Sequence, residues 1–286
     1  MAGSALYLYC VVPVSGTAPT CSAPALDGGA VQAVRRGDLA VLTHPCPAEP
    51  YQGGEEQVRR WIAAHNAVVE EAWAATGTVL PMSFDVIVAS SGGRGAEANL
   101  IRWLARHEAA LGERLRALAG RTEVGVQVLW DTTGAAEAGV PLIGETGPAP
   151  RGRAFFARQQ ARRQAREEFA RRADRARERY LADLAALADD VRVNDPRPAQ
   201  GKQVVINISL LVTKAAIARV GDYLEKVADD AGTQVRFTGP WPPYSFAGSF
   251  GNVDEGHGGV ALTAPAGAAP HPVYGHVNDG GSHANS

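Results

Sequence analysis

Arginine is the most concentrated chemistry-bearing residue in this chain. Eleven fall between Arg151 and Arg179: Arg151, Arg153, Arg158, Arg162, Arg163, Arg166, Arg171, Arg172, Arg175, Arg177 and Arg179. A guanidinium grips carboxylates and phosphates with two parallel hydrogen bonds, so such a run offers anion recognition. Acids interrupt it at Glu167, Glu168, Asp174 and Glu178. Three readings follow: a solvated helix face, a dock for an acidic protein partner, or a nucleic-acid contact. The interleaved acids and the lack of aromatic platforms beside the arginines weigh against nucleic acid. Arg158, Arg162 and Arg166 are therefore candidate partner-binding residues, and no nucleic acid is expected.

The second concentration is Gly239-Pro240-Trp241-Pro242-Pro243-Tyr244-Ser245-Phe246. Three prolines remove three backbone donors, which predicts a stiff polyproline-like segment after a strand over 233–238. It is read as a rigid clip over the last core or as a docking surface. Trp241, Tyr244 and Phe246 are candidate contact residues, and the clip is favoured because large aromatics usually bury.

Other signatures are weak. Ser91-Gly92-Gly93-Arg94-Gly95 precedes a helix pattern, but no Lys or Ser/Thr follows at phosphate-loop spacing. Ser83 and Ser245 lack the Gly-flanked elbow of a nucleophile. His65 lies on an apolar stripe and reads as a satisfied core histidine. His107 and Glu108 are adjacent without sharing a face. His257, His271, His276 and His283 are irregularly spaced in a Gly/Ala/Pro-rich tail. Cys10 reads as a core residue, while Cys21 and Cys46 fall in Pro/Ala loops. An odd cysteine count without zinc spacing suits a reducing cytoplasm. No catalytic residue, cofactor site or metal site is expected.

The elements that must position these residues are legible in order. A strand at Leu6–Val12 and a hairpin at 31–35 and 39–43 open the chain. Glu55–Thr76 is an amphipathic helix closed by Gly77, 79–89 a strand, 96–119 a second helix, and 123–131 an alternating strand. A Gly/Ala/Pro-rich linker at 134–150 leads to the Arg-rich helix, expected from Arg151 to about Val193. A strand at 203–213 follows, with Val204, Ile206, Ile208, Leu210 and Val212 on one face. A helix over 214–231 and a short strand over 234–237 complete the pattern. The fold class is α+β in two domains. The first, 1–133, is modified ferredoxin-like, an antiparallel sheet with helices on one face. The second, 151–247, carries the long Arg-rich helix, and 248–286 reads as a disordered Gly/His-rich tail. With 286 residues, a formal charge of −2, no signal-peptide pattern and no membrane-span-length apolar run, the chain reads as soluble.

Several of these pieces together resemble the gas vesicle GvpF/GvpL family. They are Leu6-Tyr7-Leu8-Tyr9, Val79-Leu80-Pro81-Met82-Ser83-Phe84, Glu123-Val124-Gly125-Val126-Gln127-Val128, the Arg-rich helix ending at Tyr180-Leu181, and Thr238 through Phe246. They run in family order, and the terminal G-P-W-P-P-Y-S-F is the most specific. Cys10 and Asp85 stand where the family often has glycine. The resemblance implies a non-enzymatic accessory protein of gas vesicle formation. It implies binding to the small hydrophobic shell protein GvpA and to other accessory Gvp proteins, and localisation to the gas vesicle in the cytoplasm, without a lipid membrane. Two other readings stand beside it: a nucleic-acid-binding regulator using the Arg-rich helix, and an enzyme with a cleft between its domains.

Overall fold

The computed structural model describes residues 5–17, 19–132, 151–196 and 201–249; in the helix beginning at Arg151, it describes the side chains of Phe156 and of residues 159 onward. The chain forms two compact units, one within Met1–Ala75 and Met82–His107, the other within Thr76–Pro81 and Glu108–Phe250.

The first unit is built on β1 (Ala5–Pro13), β2 (Gln32–Arg36), β3 (Leu39–Cys46) and α1 (Glu55–Thr76). β2 and β3 form the expected hairpin. Arg36 faces Leu39, which leaves a two-residue turn whose Gly37 has φ 55°. β1 runs antiparallel to β3, with Tyr7 opposite His44. The single strand expected over 79–89 is divided into β4 (Leu80–Pro81) and β5 (Ile87–Ala89). Between them the chain turns at Asp85, whose φ of 70° lies in the left-handed region that Asp tolerates better than most residues. The turn is held because Asp85 donates its N–H to the Tyr7 hydroxyl and accepts the Tyr51 N–H at Oδ1, both at 3.1 Å. β5 then pairs with β1, Ile87 opposite Tyr7. Cys46, expected in a loop, closes β3 and is buried. α2 (Ala96–Leu118) follows; its Leu100, Leu104, Leu111, Leu115 and Leu118 form the buried stripe that three-and-four spacing predicts.

The second sheet has the order β7-β8-β6-β9, built from β6 (Arg121–Asp131), β7 (Asp190–Val193), β8 (Lys202–Thr213) and β9 (Thr233–Trp241). β6, expected as the last strand of the N-terminal domain, is a central strand here. It pairs with β8 on one side and β9 on the other. One face packs against α3 (Arg151–Ala185) and α4 (Ala216–Ala228). There Val124, Val126, Val128 and Trp130 meet Ala173, Ala176, Tyr180, Leu184, Val220, Leu224 and Val227.

Four expectations about the second sheet and its flanks are corrected. The Arg-rich helix ends at Ala185, not near Val193, because Asp190–Val193 pairs with β8 as β7, Val191 opposite Leu210. The alternation of β8 slips at Val205, which is buried where Val204 was expected. Val128 faces Ile206 and Leu129 faces Val204, so Val205 is the extra residue of a bulge. The last strand runs through the Gly-Pro to Trp241 instead of ending at Phe237 or Thr238. β9 is an edge strand, where a missing proline donor costs no ladder bond. The stretch after Pro243 is a 3-10 turn, Tyr244–Phe246, and not a continuing polyproline helix. The linker over 134–150 and the tail histidines lie outside the described residues.

Candidate functional site

The terminal aromatic segment is anchored by a buried carboxylate that sequence reasoning missed. Glu123 is 0% exposed. Its Oε2 accepts the Ser245 N–H at 2.8 Å and its Oε1 accepts the Ser245 hydroxyl at 2.6 Å. The same hydroxyl lies 3.2 Å from Ser209 Oγ on β8. Arg114 on α2 donates from Nε to the Phe246 carbonyl at 2.6 Å and also from Nη2. The Thr122 hydroxyl donates to the Trp241 carbonyl at 2.9 Å. Charge-assisted bonds of this kind are roughly twice as strong as neutral ones.

Two glycines let the segment approach. A Cβ on Gly239, whose φ is 110°, would meet the Glu123 carbonyl at 2.9 Å; one on Gly125 would meet Thr238 Oγ1 at 2.6 Å. Phe246 is fully buried under the Arg192 guanidinium, 5.8 Å from its ring centre. Trp241 and Tyr244 are half-buried. Glu123 alternates with Val124 along β6, so the turn sits on the sheet face opposite α3 and α4. The signal available in the sequence was a Glu heading a strand whose same-face neighbours, Gly125 and Gln127, are not apolar.

The arginine candidates lie elsewhere. The buried line of α3 begins at Ala173 and runs through Ala176, Tyr180 and Leu184. Upstream, among the described side chains, Arg162, Arg163, Arg166, Arg171 and Arg172 are exposed, and only Ala161, Ala165 and Phe169 are half-covered. Arg163 pairs with Glu167 at 2.9 Å, and Arg172 lies over the Trp130 ring at 5.2 Å. Arg158 lies outside the described side chains. The structure thus puts Arg162 and Arg166 on one surface, and Trp241 and Tyr244 on another, with Phe246 buried.

In the first unit, two histidines are wired into the sheet. His65 is fully buried; Met82 O, 3.1 Å from Nε2, can only accept, so the proton sits on Nε2 and the Tyr7 hydroxyl donates to Nδ1 at 2.9 Å. Tyr9 meets His44 Nδ1 at 2.9 Å, and His44 Nε2 meets the Tyr51 hydroxyl at 3.0 Å. Leu26 donates its N–H to the Tyr9 oxygen at 3.2 Å. Burial holds both imidazoles below their ordinary range, His65 down to about 4, and pushes the Tyr7 and Tyr9 phenols up. All four rings are therefore neutral near pH 7. His65 is the satisfied core histidine that its stripe position predicts. Burial also pushes the Cys46 thiol up to about 12 and Cys21 up to about 11. Neither is a poised thiolate.

The comparisons with known proteins agree with one another. The family model of gas vesicle synthesis protein GvpL/GvpF matches residues 5–248. Gas vesicle protein L1 of Halobacterium salinarum is 29% identical over 260 residues, 86% of this chain and 91% of its own. Gas vesicle protein L of a Streptomyces species is 30% identical over 262 residues, 85% of this chain and 92% of its own. Among solved structures, GvpF from Anabaena sp. PCC7120 superposes with a TM-score of 0.65 at 22% identity, covering 86% of this chain and 97% of its own. GvpF from Microcystis aeruginosa gives 0.62 at 18% identity, with 86% and 100% covered. At those identities the structural likeness concerns the fold: α+β, with two antiparallel sheets and four helices among the described residues.

Proposed function

This chain belongs to the GvpL/GvpF family of gas vesicle synthesis proteins, and from that premise we propose that it works by binding and not by catalysis. It holds the small hydrophobic shell protein GvpA and other accessory Gvp proteins while the vesicle is nucleated or assembled. It acts at the gas vesicle within the cytoplasm. The observation that carries this reading is the family match from residue 5 to residue 248, nearly the whole described chain.

The architecture supports it. We read the first unit as a modified ferredoxin-like fold. Its outer hairpin strand β2 and the outer strand β9 of the second sheet offer backbone edges to an extended apolar segment. The solvated part of α3 offers a separate contact to accessory proteins. A shell subunit engaged in this way is shielded from self-association until it joins the wall. Among the described residues no helix is long and apolar enough to cross a membrane, so contact with an apolar shell is made through such surfaces and not by a spanning helix.

The test is co-purification with GvpA and each accessory protein, together with deletion of the gene in a vesicle-forming host. Loss of vesicles and recovery of GvpA with the tagged chain are expected. Normal vesicles in the deletion strain would sink the assembly role.

A further inference from the structure

α3 changes character along one line of its surface. At about 100° per residue, the side that carries Ala173, Ala176, Tyr180 and Leu184 continues upstream through Phe169, Arg166 and Arg162. Where this side meets the protein's own sheet it is apolar. Where it runs past Ala173 it is cationic and exposed, with Ala161 and Ala165 beside the arginines. The four-residue step between Arg162 and Arg166 stacks two guanidinium forks about 6 Å apart along the axis. Among the described residues neither makes an ion pair; nor do Arg171 and Arg175. Residues 151–172 hold eight arginines against two glutamates, a formal +6, in a chain whose total is −2.

We propose that this ladder, Arg162 and Arg166 flanked by Ala161 and Ala165, receives an acidic amphipathic helix of another protein. The occupant carries carboxylates at four-residue spacing beside a small apolar stripe. Charge complementarity selects it. A carboxylate accepts the guanidinium fork bidentately, and a helix repeats that acceptor at the same interval as the ladder. The alanines let two helix backbones approach where longer side chains would hold them apart. A second copy of the same ladder would set like charges against each other. Nucleic acid would use the arginines but has no use for Ala161 and Ala165 beside them, and Phe169 is taken up by Trp130 and not free to stack on a base.

The inference deepens the reading of α3 as a contact to accessory proteins and rests on it. The test uses the full chain and a labelled synthetic Ala-Leu helix bearing glutamates at four-residue spacing, titrated by fluorescence anisotropy. A lysine version of the same peptide and a short DNA duplex are titrated alongside. Binding of the glutamate helix is expected, weakening with salt. The R162E/R166E variant should lose roughly tenfold or more in affinity, and R162K/R166K a smaller amount because the fork is gone. R171E/R175E makes the same charge change on the far side of the helix and should stay within about twofold. Equal loss in both charge-reversal variants, tighter binding to the duplex than to the glutamate helix, or self-association abolished by R162E/R166E would each overturn the ladder. So would accessory proteins that co-purify undiminished with R162E/R166E, an outcome that leaves the assembly role standing. Normal vesicles without the gene would remove that role whatever the peptide does.

Discussion

A carboxylate buried as fully as Glu123 is tolerable only while donors fill its oxygens. Ser245 donates to both oxygens, through its N–H and its hydroxyl, so the two residues form one device. Glu123→Gln exchanges one acceptor oxygen for an amide donor, so the Ser245 hydroxyl must turn and the charge-assisted bonds are lost; it should cost about 2 kcal/mol, read as a fall in urea midpoint with unchanged slope. Ser245→Ala in that background should cost little more, because the coupling has already gone. Trp241→Ala should lower stability before it selectively lowers capture of GvpA. A well-folded variant that no longer captures GvpA would make Trp241 a contact residue. His65 gives a prediction of a different kind. Burial holds its folded pKa at about 4, below the ordinary 6.5, so the unfolded chain takes up the proton first. Its contribution is complete above about pH 6.5 and is lost as pH falls toward 4, on the order of 3 kcal/mol in all. A His65→Gln variant should flatten the stability profile between those values. An unchanged profile would mean that another group controls it.

At the scale of elements, α3 is two helices in one. From Phe169 and Arg172, which rest on Trp130, the helix is held by the sheet; upstream of Phe169 it is held mainly by helix propensity and the Arg163–Glu167 pair. Arg163→Pro should reduce helicity by circular dichroism and leave the cooperative melting of the second sheet in place. Arg177→Pro, between Ala176 and Tyr180, should lower that melting temperature sharply. Much of this layer was legible in the sequence. Period 3.6 placed α1 and α2 to within a residue or so, and period 2 placed β1, β6 and β8. The misses share a cause. Asp85 breaks the 79–89 strand because of partners at Tyr7 and Tyr51, far away in sequence. Val191 fits a helix stripe and a strand equally well, and β8 decides between them. Proline looked incompatible with β9 until its place at the sheet edge was known. The Arg162 and Arg166 spacing could be read directly; that their face stops being covered at Ala173 could not. The Glu123 anchor depends on a contact spanning 122 residues; the non-apolar face of Glu123, Gly125 and Gln127 could be read locally, but its partner Ser245 could not.

At the scale of the whole molecule, the two units carry different vulnerabilities. The neutral Tyr/His wiring lies in the first, and the buried carboxylate in the second. Hydrogen exchange, corrected for its intrinsic rate, should therefore show acid opening β1, β3 and α1 first. Glu123→Gln should instead open β6 and β9 at neutral pH. Uniform loss of protection in either case would merge the two into one cooperative body. The long reach of the Glu123 contact also sets a clock. At ~5–20 residues per second, a ribosome that has just made β6 needs about 6–24 s more to reach Ser245. β8 and then β9 are completed within that interval, and the Ser245 donors reach Glu123 last. A nascent chain of this protein therefore carries β6 without a strand neighbour until β8 is made. β9 closes the second edge of β6, Trp241 opposite Glu123, and with it the period in which the strand is open to the wrong partner.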